Sequence, residues 1–256
     1  TGRAVFSFDV RRPGMLVAVV RRPDLFGATV RSFDDREARA IDGVVDVVQV
    51  PSGVAVLAKD TWTALRGREA LKVDWDTGKA ETRSVEDILA EYRTLAATKG
   101  LPALRRGDAE AGLARAARVY EAEFTFPFLA HAPMEPLNCV IEVSDDGAEL
   151  WSGCQLQSID QAAIARVLGL KPQHIKINTL FGGGSFGRRG NPMADWTKEI
   201  AHVAKAVGRR VPIQLVWTRE DDIKGGFYRP LVLHRVRAGL DGGGRIIGWR
   251  HKVVCQ

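Results

Sequence analysis

The chain has 256 residues, 45% of them hydrophobic and 27% charged, with a formal net charge of +6. That length suits one large domain or two ordinary ones with a sizeable buried core. No apolar run approaches the roughly 18 residues of a membrane helix; the longest, 15–20 and 54–58, are strand-sized. The basic excess lies in scattered pairs (Arg11-Arg12, Arg21-Arg22, Arg105-Arg106, Arg188-Arg189, Arg209-Arg210). With no interleaved aromatics or reading module, this argues against a nucleic-acid surface, while leaving a local attraction for an anionic ligand. Cys139, Cys154 and Cys255 lack CxxC spacing and make no zinc or iron–sulfur site by themselves; the metal-ligand set of this chain reads as empty, and the compartment stays undecided.

In chain order, the first stretch is strand-rich. Residues 15–20 form a short apolar strand after the turn signal Pro13-Gly14, and 28–33 form a second. A short charged helix follows over 34–40, its acidic residues in the first turn where the helix dipole favours them. Residues 44–50 and 53–58 read as a hairpin around Pro51-Ser52. A helix over 61–70 is capped by Asp60 or Thr61, and 71–75 is the strand after it. Residues 79–107 read as a connector with one helix, capped by Ser84 and running through Leu95. A second unit starts near Asp108, with strands over 119–126, 138–143 and 148–151, the last two joined by the hairpin signal Asp145-Asp146-Gly147. A helix over 158–168, a strand over 174–180, a helix from about 192 to 207 ended by Gly208, and a strand over 212–217 complete it. The expected fold is α+β: a strand-rich unit over 1–78, the connector 79–107 and a second unit over 108–256. The chain opens Thr1-Gly2-Arg3 and stops just past an alternating strand over 245–254, so we read it as a piece of a longer chain.

The chemistry concentrates in Gly182-Gly183-Gly184-Ser185-Phe186-Gly187, between a strand and a helix. Glycines permit positive φ and close approach of a ligand to backbone N–H groups; successive N–H groups and a following helix N-terminus favour anions. A phosphate-bearing cofactor is the physical inference, against the plainer reading of a flexible turn. Gly182, Gly184 and Gly187 satisfy the dinucleotide fingerprint literally, but the preceding units are meander-like rather than βαβ. The acidic residues Glu220 and Asp221 also lie too far on for that fingerprint. An NAD- or FAD-dependent oxidoreductase is therefore one alternative, predicting at least three parallel strands around the loop. A non-catalytic scaffold or binding domain with a degenerate loop is the other.

An ordered set of segments then resembles one family. These are Arg12-Pro13-Gly14-Met15-Leu16, Gly53-Val54-Ala55-Val56, Thr61-Trp62-Thr63-Ala64-Leu65, Ala70-Leu71-Lys72-Val73-Asp74-Trp75, His131-Ala132-Pro133-Met134-Glu135-Pro136-Leu137-Asn138-Cys139, Gly183-Gly184-Ser185-Phe186-Gly187-Arg188-Arg189, Trp217-Thr218-Arg219-Glu220-Asp221-Asp222 and Phe227-Tyr228-Arg229-Pro230. Together they resemble the large subunit of molybdenum hydroxylases of the isoquinoline 1-oxidoreductase beta-subunit type, relatives of xanthine dehydrogenase and aldehyde oxidase.

The resemblance implies an a/b hammerhead-like domain over 1–78. It also implies the first, incomplete molybdopterin-binding domain over 108–256. The cofactor it implies is molybdopterin, as its cytosine dinucleotide, with molybdenum held by the pterin dithiolene and no protein thiolate. It places Phe186 and Gly187 beside the metal and gives Gln155 an amide hydrogen bond to the metal's oxo group, a role a neutral, non-titrating donor suits. Without the resemblance Gln155 reads as a surface residue before a helix. Gly183, Gly184, Ser185, Arg188 and Arg189 complete the implied cofactor contacts, the arginines pairing with phosphates. Gly190 stands about where purine-handling relatives carry a substrate-orienting glutamate. Glu135 reads as a structural carboxylate and His131 as a core or interface histidine. No catalytic base is expected in this chain, because the family's activating glutamate lies downstream. Alone, the piece is expected to be inactive and to lack cofactor. The implied partners are a small iron–sulfur subunit, the remaining domains of the large subunit, and an aldehyde or N-heteroaromatic substrate.

Overall fold

The computed structural model describes residues 2–208 and 211–256; Thr1 and the Arg209-Arg210 pair lie outside the described residues. Two compact units form, each from two stretches of chain: Thr1–Glu81 with Ala130–Phe227, and Thr82–Leu129 with Tyr228–Gln256. Packing therefore does not follow the chain-order division at 78 and 107. The physical reason is a strand pairing across it. In the first unit β1 (Leu16–Arg21) lies parallel to β10 (Ile213–Val216), with Leu16 opposite Ile213, so one sheet takes strands from both halves of the sequence.

That sheet has seven strands in the order β3 (Val44–Val50), β4 (Gly53–Ala58), β1, β10, β7 (Asn138–Val143), β8 (Ala148–Ser152), β9 (Ile175–Thr179). Both faces of its middle are covered, which is why β1 and β4 read as unbroken apolar runs. Side-chain alternation divides the two faces. Leu16, Ala18 and Val20 join Ile164, Trp196 and Ile200 in one core, beside α5 (Gln157–Leu168) and α6 (Asp195–Val207). Val17 and Val19 join Val54, Val56 and Ala64 in the other, beside α1 (Arg36–Arg39) and α2 (Thr61–Ala70). Asp60 caps α2, its carboxylate accepting the Thr63 N–H. β2 (Thr29–Asp34) and β5 (Lys72–Asp76) pair as a separate ribbon.

In the second unit β6 (Arg118–Phe126), β11 (Val232–Leu240) and β12 (Ile246–Cys255) form an antiparallel sheet in the order β12-β11-β6. It packs with α3 (Val85–Ala97) and α4 (Ala109–Ala114). Ser84 and Asp87 close a capping box on α3, while Ile88, Tyr92 and Ala96 join Leu231 and Leu233 in its core.

Two α-helices and one strand escape the sequence reading, α4, α7 (Arg219–Lys224) and β11, along with the short 3-10 turns Ser7–Asp9 and Pro172–His174. Both helices are too short to show a 3.6-residue period and are set by caps, Asp108 for α4 and the Thr218–Asp221 box for α7. β11 hides because its alternation includes His234, Arg235 and Arg237 rather than apolar residues. Among the described residues no helix is long and apolar enough to cross a membrane.

Candidate cofactor cradle

The glycine loop and Gln155 meet because their strands are parallel neighbours. β8 and β9 run side by side with Ser152 opposite Thr179, and Leu180 N–H donates to the Ser152 carbonyl at 3.0 Å. The chain leaving each strand therefore emerges at the same end of the sheet. Gly153 lets the two exits touch: a Cβ there would stand 3.0 Å from Gly182 Cα and from the Phe181 carbonyl oxygen. Nothing in the sequence pattern singled out Gly153; its signal is a glycine one residue past a strand end.

The loop turns its carbonyls inward. Gly183 O accepts from Glu135 N–H at 2.9 Å, Ser185 O from Arg188 N–H at 3.0 Å, Gly187 O from Gly190 N–H at 3.0 Å, and Gly184 O from Arg189 Nε at 3.1 Å. By contrast, the N–H groups of Gly184, Ser185, Phe186 and Gly187 meet no protein acceptor among the described residues. Positive φ at Gly184 (94°), Phe186 (54°) and Gly187 (93°) produces this split, and for Phe186 it is a conformation that side chains avoid. A loop with four of its carbonyls bound and four successive N–H groups free presents partial positive charge, as an anion-binding concavity does.

Two side chains fix the loop. Glu135 is nearly buried: its Oε2 accepts Gly183 N–H at 2.7 Å and Arg189 Nη2 at 3.0 Å, and its Oε1 accepts Asn138 Nδ2 at 2.9 Å. Glu135 is thus the structural carboxylate the sequence suggested. Ser185 Oγ accepts Arg189 N–H at 3.0 Å and donates to Gln155 Oε1 at 2.6 Å. That leaves the Nε2 end of the Gln155 amide for a neighbour. Phe186 and Phe181 lie exposed beside the loop, and a Cβ on Gly187 would meet open space.

The arginines sit differently from expectation. Arg188 and Arg189 are buried, not solvated at a helix start and not turned outward to phosphate. Arg188 pairs with Asp195, Nη1 at 3.1 Å and Nη2 at 2.5 Å. Arg189 pairs with Glu135, and burial pulls its guanidinium pKa down. The reason is that α6 begins only at Asp195, so the intervening chain folds back beneath the loop. Asp195, in the first turn of α6, answers the helix dipole and Arg188 together. His131 is half-buried with Nδ1 unpartnered, and burial, then the charge of Arg188, pulls its pKa down. Cys139 and Cys154 are buried free thiols and Cys255 an exposed one. A cavity of about 610 Å³ lined by residues such as Arg21, Phe26, Ser52 and Lys224 lies elsewhere in this unit and includes no loop residue.

These features define a class: an α+β protein with a glycine loop of unpaired N–H donors at the ends of two parallel strands. They do not make a dinucleotide fold, because β8 is antiparallel to β7 and β9 is the sheet's last strand, so three parallel strands never surround the loop.

Residues 93–256 match the molybdopterin cofactor-binding domain, and the chain belongs to that family. It is 32% identical over its whole length to the isoquinoline 1-oxidoreductase subunit beta of Brevundimonas diminuta, covering 34% of that protein. It is also 32% identical over 99% of its length to a membrane-bound aldehyde dehydrogenase (pyrroloquinoline-quinone) of Gluconacetobacter polyoxogenes, again covering 34%. The chain thus spans about a third of the curated relatives it matches. Among solved structures, the aldehyde oxidoreductase of Desulfovibrio desulfuricans superposes with a TM-score of 0.79 at 19% identity, over 100% of this chain and 33% of that one. Quinoline 2-oxidoreductase of Pseudomonas putida 86 gives 0.76 at 18%, over 98% and 37%; at such identities the likeness is one of fold. The resemblance drawn from the ordered motifs is borne out, as is the α+β class.

Proposed function

We propose that this chain supplies one wall of the molybdopterin site in the large subunit of an oxidoreductase that oxidises aldehydes or hydroxylates N-heteroaromatic rings. The observation that carries this reading is the split in the glycine loop: the carbonyls of Gly183, Gly184, Ser185 and Gly187 bound inward, and the four N–H groups of 184–187 free. The residues fit the cofactor's chemistry, which demands hydrogen-bond donors for anionic oxygens and, with sulfur supplied by the pterin, no cysteine ligand.

When bound, the molybdenum centre supplies the oxidation chemistry, with water as the oxygen source. The chain's own residues bind and orient. Gly183, Gly184, Ser185, Phe186 and Gly187 offer the backbone cradle. The Gln155 amide, its carbonyl end held by Ser185, donates beside it. Arg188 and Arg189 act from beneath, holding the loop through Asp195 and Glu135. A fixed array of donors in a low-dielectric site needs no reorganisation when charge develops, which is how a protein tunes such a centre. We assign the cytosine dinucleotide form, an iron–sulfur partner subunit as electron acceptor, and a base outside this chain as further parts of the same reading.

Metal and pterin analysis of the full-length subunit, coexpressed with its partner, tests it. About one molybdenum and one pterin per subunit are expected, and a subunit that oxidises substrate with neither overturns the reading. This chain alone is expected to turn over neither an aldehyde nor a quinoline.

A further inference from the structure

The sheet of β6, β11 and β12 carries its ion-paired charges on one side and its aromatics on the other, with Arg118 at the rim of the aromatic side donating to the Tyr120 hydroxyl at 3.0 Å. Register places Phe124, His234 and Val253 in one row, and Tyr120, Ala238 and Trp249 in another on the same face. The rows of the opposite face hold Glu121, Glu123, Arg235 and Arg237, joined by the Arg235–Glu123 and Arg237–Glu121 ion pairs. That charged side is the one α3 reaches, where Lys252 Nζ donates to the Ala96 carbonyl. The aromatic side is open: Tyr120, Phe124, Trp249 and Val253 are each more than half exposed. An antiparallel sheet in water ordinarily shows the reverse, polar side chains out and apolar ones covered, and contiguous exposed aromatics mark a binding surface. The face is also pre-arranged. Phe126 and Trp249 stand edge-on to His234 and His251, and those two rings stack at 5.0 Å with Nδ1 of one 2.8 Å from Nε2 of the other.

We propose that this face is an internal interface, covered by further polypeptide of the same subunit. The proposal rests on the large-subunit reading above. Two observations choose the occupant. Relatives are about three times as long as the stretch matched here. The whole aromatic face, β6, β11 and β12, lies inside the stretch matched to the molybdopterin cofactor-binding domain, so it belongs to a domain that such a subunit packs among about twice as much further polypeptide. The occupant presents an uncharged apolar surface, since the two central rows hold no carboxylate, lysine or arginine.

Cys255 is the natural probe: it stands on this face opposite Val232 and is exposed, whereas Cys139 and Cys154 are buried. In the native full-length subunit, maleimide labelling of Cys255, read by peptide mass, should run roughly a hundredfold slower than in the denatured subunit, because local opening must precede reaction. Labelling at the denatured rate overturns the proposal. Protection that disappears on dilution assigns the face to a second copy and overturns it too. The Phe124→Glu variant should restore fast labelling and lower the melting temperature. An unchanged melting temperature with Cys255 already reactive counts against the interface. Molybdenum content is measured on the same sample. A metal-free but protected subunit sinks the cofactor reading alone, and a loaded but unprotected one sinks this proposal alone.

Discussion

Ser185 Oγ donates to Gln155 Oε1 at 2.6 Å while accepting the Arg189 N–H at 3.0 Å. One hydroxyl thereby joins the turn after β8 to the loop after β9 and fixes which end of the glutamine amide stays free. The Ser185→Ala variant should lose about 1 kcal/mol of stability, the usual worth of such a bond. Its molybdenum occupancy in the full-length subunit should fall more than the melting temperature suggests, because Gln155 is then free to rotate. Thermal melts and metal analysis on the same preparations check this; an occupancy that only follows stability would reduce Ser185 to a structural role.

Glu135 is the clamp under the loop. Replacing it with alanine leaves the Arg189 guanidinium, 1% exposed, without its carboxylate and the Gly183 N–H without its acceptor. Removing one partner of a buried ion pair costs about 3–5 kcal/mol, so chemical denaturation of Glu135→Ala should show a loss on that scale. Glu135→Gln should fall in between, since one amide end becomes a donor facing donors.

Gly187 and Gly183 should respond differently to alanine. At Gly187 φ is +93° and a Cβ meets nothing within 4 Å, so the cost is the backbone strain alone, about 1–2 kcal/mol. At Gly183 the backbone is ordinary, but the Cβ would lie 2.5 Å from Glu135 Cβ and drive the clamp away. Gly183→Ala is therefore expected to approach Glu135→Ala in its denaturation midpoint, and Gly187→Ala to stay closer to the parent.

Much of this was legible in the sequence where one local rule decides. Apolar runs bounded by turn residues gave β1, β3, β4 and β7, and caps at Asp60 and Ser84 gave α2 and α3. The hairpin turn at 145–147 and the helix stop at Gly208 are local too. What depends on distant pairing was not legible. The parallel contact of β1 with β10 merges two stretches of chain into one sheet, and the β8–β9 neighbourhood brings Gln155 to Ser185. The burial of Arg188 and Arg189 follows from the late start of α6, which the proline in Asn191-Pro192 disguised by resembling a helix opening. Seen as letters, two arginines after a glycine loop suggest phosphate; folded, they hold the loop from below.

Asp160 provides a pH test. Burial pushes its pKa up to about 6, against the Thr197 hydroxyl donating at 2.7 Å, which favours the charged form. Unfolded, the same carboxyl titrates near 3.8. The folded state therefore holds the proton more tightly, and stability falls as pH rises from about 4 to about 6, then levels off. At 1.36 kcal/mol per unit the full penalty at neutral pH is roughly 3 kcal/mol. Asp160→Asn keeps an acceptor for Thr197 and removes the charge. It should be more stable than the parent at pH 7, equal to it near pH 4, and flatter in between. Denaturant titrations at pH 4, 5, 6 and 7 decide the matter: parallel pH profiles for the two proteins would show that Asp160 is not the group that titrates.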